Sequence, residues 1–147
     1  MLRKHDGFSI LELIVVIAIL AVLASFAVFR FMSVNMSVRG SKIIADLNSC
    51  ESAINIYYAK TGTFPSDINV LIPSYLAVWP TPPLGKALIN KHDNVDILLD
   101  VQATNYAYVK PNSSSELDIR VGRVTLGGMT IEQILSTSET NLTLSDE

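Results

Sequence analysis

Between Leu13 and Phe29 the chain runs through 17 residues without a charge, and Ser25 is the sole polar side chain among them. Widened to Phe8 and Met32, this apolar segment makes about 25 residues, or roughly 37 Å of helix, enough to cross a bilayer with some tilt. Neither Gly nor Pro occurs between Phe8 and Arg39, so nothing in the segment stops a helix at its far end. Beyond Gly40 the pattern changes. Ile43, Leu47, Cys50, Ile54 and Tyr57 follow steps of four and three, which is one stripe of an amphipathic helix. The two patterns together predict one helix from about Phe8 to about Lys60, roughly 80 Å long, apolar all round in its first half and amphipathic in its second.

After this helix the periodicity shortens. Gly62 is placed to stop it, and Ser66 to cap a short helix over Asp67–Ile72. Tyr75-Leu76 through Trp79-Pro80-Thr81-Pro82-Pro83 reads as a stiff loop. Strand-like runs follow at Val95–Val101, Tyr106–Val109, Leu117–Val121 and Val124–Leu126, with turns at Asn112–Ser115 and Gly127-Gly128. Thr130–Leu135 reads as a final short helix, and the polar stretch 136–147 as a flexible tail. The predicted class is α+β: a long N-terminal helix packed on a small antiparallel β-sheet, a roll on a stalk.

Composition sharpens this division. Residues 1–32 hold 23 of the 72 apolar residues of the 147-residue chain, and the other 115 residues have an ordinary globular content of about 43%. Such a distribution excludes a simple cytosolic enzyme, a disordered chain and a polytopic membrane protein. Residues 33–147 carry 8 basic and 12 acidic side chains without a basic run, which argues against nucleic acid as the primary partner. Cys50 is the sole cysteine, so no disulfide forms within the chain, and its place on the apolar stripe predicts a buried structural thiol.

One residue does not suit a plain membrane anchor. Glu12 lies inside the apolar run, where a lone acidic group costs about 2.5–3.5 kcal/mol at mid-membrane depth. Nor is the segment an ordinary secretory signal: Arg3 and Lys4 supply the basic start, but the apolar stretch exceeds the usual length and ends in a weak cleavage site, Ala24-Ser25-Phe26-Ala27.

Arg3-Lys4, followed by Gly7-Phe8-Ser9-Ile10-Leu11-Glu12-Leu13, resembles the type IV prepilin signature. The resemblance implies a leader, residues 1–7, removed by a membrane aspartyl prepilin peptidase between Gly7 and Phe8, with methylation of the new Phe8 amine. It implies that Glu12 of one subunit pairs with the Phe8 ammonium of a neighbour during assembly, so that two charges in a low-dielectric core satisfy each other. Residues 8–32 would then be the transmembrane and filament-core helix and 33–135 the globular domain. The subunit would wait in the inner membrane as a single-pass protein, its domain outside the cytoplasm, before entering a cell-surface or periplasmic filament. The partners implied are further copies of the chain and other pilins, the peptidase, membrane lipid, and an inner-membrane assembly platform with a separate motor ATPase. A helix-bending proline that many type IVa pilins carry in the apolar segment is Phe29 here.

The order Tyr57-Tyr58, Gly62, Phe64-Pro65, Leu71-Ile72-Pro73, Tyr75-Leu76, Pro80-Thr81-Pro82 also resembles pilins and the major pseudopilins of type II secretion, although Thr81-Pro82-Pro83-Leu84-Gly85 lacks the Asp and Trp frequent there. Major pseudopilins carry calcium in a C-terminal loop. Asp93, Asp96 and Asp100, with Asn94, are the weak calcium candidates, and they lack the order of a dedicated calcium loop. Asp96 and Asp100 equally suit the two ends of a strand. His92 stands without Cys or His nearby and His5 leaves with the leader, so no zinc site is expected. With no G-x-S-x-G, H-E-x-x-H, C-x-x-C or Walker A pattern, the chain reads as a structural protein and not an enzyme. The first expectation is a subunit of a type IV pilus-like filament. The alternatives are a type II secretion pseudopilin and a membrane-anchored binding domain.

Overall fold

The computed structural model describes residues 8–90, 96–110 and 124–146. It divides into two compact units, with the boundary between Asn35 and Met36.

Helix α1 spans Ile10–Thr61, 52 residues without interruption, and continues through Phe29. In the first unit every described residue, from Phe8 to Asn35, is exposed. This stretch is long and apolar enough to cross a membrane. In the second unit the same helix buries Gly40, Ile43, Leu47, Cys50, Ala53 and Ile54, so four of the five predicted stripe positions are fully buried and Tyr57 packs at their margin. Gly62 ends the helix as expected. Its φ of 72° is the left-handed conformation, and its N–H donates to the Tyr58 carbonyl at 2.8 Å.

A single 3₁₀ turn, Ile68–Leu71, follows. Its cap is Asp67, whose carboxylate accepts from the Asn69 N–H at 2.8 Å, and not Ser66. The carboxylate lies one residue closer to the turn and is the stronger acceptor. Tyr57 meets Tyr75 edge to face at 5.5 Å, and Tyr58 stacks on Phe64 at 4.4 Å, tying the helix end to the loop.

The strands are β1 (Gly85–Asn90), β2 (Asp96–Val101), β3 (Tyr106–Tyr108), β4 (Val124–Leu126) and β5 (Asn141–Leu144), with helix α2 (Ile131–Ser136) before β5. They form a three-stranded sheet ordered β1-β2-β5 and a two-stranded sheet of β3 and β4. β1 and β2 are antiparallel, as are β3 and β4, while β2 and β5 are parallel. The larger sheet is therefore mixed, which corrects the antiparallel expectation. The cause is β5. A connection through α2 returns the chain in the direction of β2, as parallel pairing requires.

Two strands escaped the sequence reading. β1 alternates Ala87 and Ile89 inward, but its glycine start and short run blend into the proline-rich loop before it. β5 falls in the stretch expected to be a flexible tail. Leu144 is 1% exposed and joins the core, while the polar residues around it hide the signal. Thr130 caps α2 in a reciprocal capping box with Gln133, so the predicted final helix is present and shifted by one residue. The predicted strand Leu117–Val121 and the turn at Asn112–Ser115 lie outside the described residues.

The core of the second unit places Ile43, Leu47 and Ile54 of α1 against Ile89, Ile97, Leu99, Val101, Val124, Leu126, Ile134 and Leu144. Among the described residues β1 is an outer strand of its sheet, and α1 meets it at Arg39 and Gly40. A Cβ placed on Gly40 would stand 2.0 Å from the Leu88 carbonyl oxygen, and Arg39 Nη1 donates to the Lys86 carbonyl at 3.4 Å. At these two positions the helix occupies outward-facing carbonyls of β1.

Candidate functional site

The N-terminal turn of α1 carries the chemistry. Ser9 precedes the first helical residue, and its Oγ accepts from the Leu11 N–H at 3.3 Å. Three residues on, Glu12 Oε2 accepts from the Ser9 N–H at 3.4 Å. The serine thus caps the N2 amide and not the N3 amide of a full capping box, while the return bond gives the Glu12 carboxylate a local partner and a place at the positive end of the helix dipole. Ser9 was not singled out from the sequence, although the spacing Ser9-x-x-Glu12 was there to find. Around the carboxylate, Leu11, Val15 and Val16 form a shallow apolar depression. Phe8 is 78% exposed and stands one turn from Glu12. The arrangement offers one accessible anionic group on an otherwise apolar surface, suited to a cation presented within an equally apolar partner. Gly7 lies outside the described residues.

Two titratable groups, Cys50 and Tyr106, belong to the core. Cys50 is fully buried. Burial, with the charges of Asp46 and Glu51 added, pushes its thiol up to about 12. A thiol that stays protonated is neither a good nucleophile nor a metal ligand. Asp46 accepts from Lys42 at 2.5 Å on the helix and from the Tyr106 hydroxyl at 3.1 Å. The Tyr106 hydroxyl is itself pushed well up by burial and by Asp46. Tyr108 donates to the Pro65 carbonyl at 2.9 Å, and Trp79 Nε1 to the Tyr106 carbonyl at 3.0 Å. Both tyrosines fasten the small sheet to its surroundings.

The two described calcium candidates, Asp96 and Asp100, do not converge. Asp93 and Asn94 lie outside the described residues, as do His5 and His92. Asp96 opens β2 and Asp100 is its penultimate residue. Four residues of strand separate their Cα atoms by about 13 Å, whereas ligands of one calcium ion each lie about 2.3–2.6 Å from it. Lys86 stands opposite Asp100 and Asn90 opposite Asp96 in the β1–β2 register. Among the described residues no three His, Cys, Asp or Glu side chains gather to hold a metal.

Comparison with known proteins agrees with the N-terminal geometry. Residues 2–28 match the family model of the prokaryotic N-terminal methylation motif. The type II secretion system core protein G of Vibrio cholerae serotype O1 is 26% identical over 118 residues, covering 80% of each chain. Its namesake from Escherichia coli K12 is 30% identical over 117 residues, covering 79% of each. No solved structure gives a significant match. A long helix, apolar and exposed in its first unit and packed on a small sheet in its second, thus carries a methylation motif at its start, and the alignment at 30% identity spans 79% of the chain: the chain belongs to the family of the type II secretion system core protein G, within the pilin-like filament subunits.

Proposed function

We propose that the chain is the pseudopilin of a type II secretion system, the structural subunit of a short periplasmic filament that pushes secreted proteins outward. The relatives favour this over a surface pilus subunit, the first expectation from the sequence. The observation that carries it is the single carboxylate, Glu12, at the head of an otherwise exposed apolar helix. In this reading a prepilin peptidase cuts between Gly7 and Phe8 and methylates the Phe8 amine. Residues 8–32 hold the subunit in the inner membrane, with the globular domain on the periplasmic side. The platform and its motor ATPase then draw the subunit out of the bilayer. Glu12 exchanges its local contact with Ser9 for the Phe8 ammonium of a neighbour. Lipid and neighbouring helices are similarly apolar, so the transfer between them changes little hydrophobic energy. The charge pairing then decides which register is accepted, because a mispaired subunit buries an isolated carboxylate.

Mass spectrometry of the purified protein tests the processing: a chain beginning at N-methylated Phe8 is expected, and an intact Met1 overturns the reading. Deleting the gene separates the two filament types. A pseudopilin deletion leaves secreted enzymes trapped in the periplasm with surface pili intact. Lost pili with normal secretion would return the pilus subunit to first place.

A further inference from the structure

The parallel strand β5 is attached by an unusual run of donors. Three consecutive backbone N–H groups at the end of β2 all point to the C-terminal tail. Gln102 and Ala103 both donate to the Leu144 carbonyl, at 2.7 and 2.8 Å. Thr104 N–H donates to the Asp146 carboxylate, at 3.1 Å to Oδ1 and 3.0 Å to Oδ2. The Thr104 hydroxyl adds a third contact, to Oδ2 at 2.5 Å. Both carboxylate oxygens are therefore taken by hydrogen-bond donors.

We infer that Asp146 closes the C-terminal strand of this chain by clamping Thr104, and that this closure needs no calcium ion. The resemblance to major pseudopilins implies calcium in a C-terminal loop; Asp93 and Asn94 lie outside the described residues, and the two described candidates do not fit an ion. Asp96 and Asp100 stand too far apart along β2 to share an ion, and Asp100 already faces a lysine across the strand pair. At Asp146 the Thr104 N–H and O–H place positive partial charge where a cation would have to sit, so the site is built to satisfy an anion from the protein side. The clamp also matches its mechanical task. It lies two residues beyond Leu144, the buried side chain of β5, so it resists peeling of the strand from its free end.

This inference is independent of polymerisation and of processing. Its test is amide hydrogen exchange on the full chain in detergent, in calcium and in chelator, for the wild type and for Asp146→Ala and Thr104→Val. Replacing Asp146 should lower protection at Gln102 and Ala103 by about tenfold or more, with Thr104→Val showing a smaller loss, while Leu47 in the helix core stays unchanged. In the wild type, exchanging calcium for chelator should alter the same amides by less than about twofold. Unchanged protection in Asp146→Ala overturns the clamp. A tenfold gain on adding calcium to the wild type overturns the metal-free closure.

Discussion

Gly40 of the long helix lies so close to the Leu88 carbonyl that a β-carbon would stand 2.0 Å from its oxygen and 2.6 Å from its carbon. Backbone on both sides leaves nothing flexible to give way. Helix propensity alone favours Gly→Ala by about 1 kcal/mol, and packing opposes it. Gly40→Ala is expected to destabilise the globular unit by about 2–3 kcal/mol, read as a lower urea midpoint by Trp79 fluorescence. A stabilised variant would show that helix and strand slide apart at little cost.

In the proposed filament the Glu12 carboxylate would have a second role beside its contact with the Ser9 N–H. Glu12→Ala should leave cleavage at Gly7–Phe8 intact and stop filament growth, scored by electron microscopy and by secretion. Glu12→Gln keeps an oxygen for the Ser9 N–H and loses the charge. If pairing with an ammonium is what assembly requires, this variant fails as well; normal filaments from it would remove the charge argument.

Alkaline pH should weaken the fold through Cys50. Its thiol is held near 12 when folded, against an ordinary value of 9.0, with burial the largest cause. A folded value above the unfolded one means that the contribution is complete below pH 9.0 and is lost as pH rises toward about 12. The slope is up to about 1.4 kcal/mol per pH unit. Chemical denaturation between pH 8 and 11 should show the decline beginning earlier in the wild type than in Cys50→Ala. Equal pH profiles would place the thiol in contact with water.

Leu144 provides a test of the C-terminal strand. Being 1% exposed, it should lose about 2–5 kcal/mol on replacement by Ala, whereas Leu84→Ala, at a position 54% exposed, should fall within about 0.5 kcal/mol of the wild type. A silent Leu144→Ala, measured by urea denaturation, would return residues 136–147 to the status of a loose tail.

How far the sequence carries the reader depends on the range of the interaction. The helix stripe from Ile43 to Ile54, the stop at Gly62 and the cap region of α2 are local in the chain, and each was readable from spacing. β5 was not. Its four residues owe their conformation to β2, some forty positions earlier in the sequence, and not to their own propensities. Gly40 shows the same division: the residue is conspicuous as the first glycine after Phe8, but its reason is the Leu88 carbonyl, which no local pattern reveals. At the N-terminus, Glu12 stood out because a charge among aliphatic side chains needs a partner. Ser9 did not, because a serine before a helix raises no energetic question until its hydroxyl is seen to face the Leu11 amide.

A molecule made to join copies of itself faces a particular hazard. Crowded side by side, such subunits are given every opportunity to stick in the wrong way, and an open β-strand is the commonest adhesive proteins possess. Where α1 meets β1, Gly40 and Arg39 stand at the Leu88 and Lys86 carbonyls and occupy that part of the strand. Among the described residues the other outer strand, β5, is only four residues long, which shortens the edge it offers. At this point on β1 an incoming strand would have to displace the helix before it could pair, a local obstacle set by a position where the backbones approach too closely for a β-carbon.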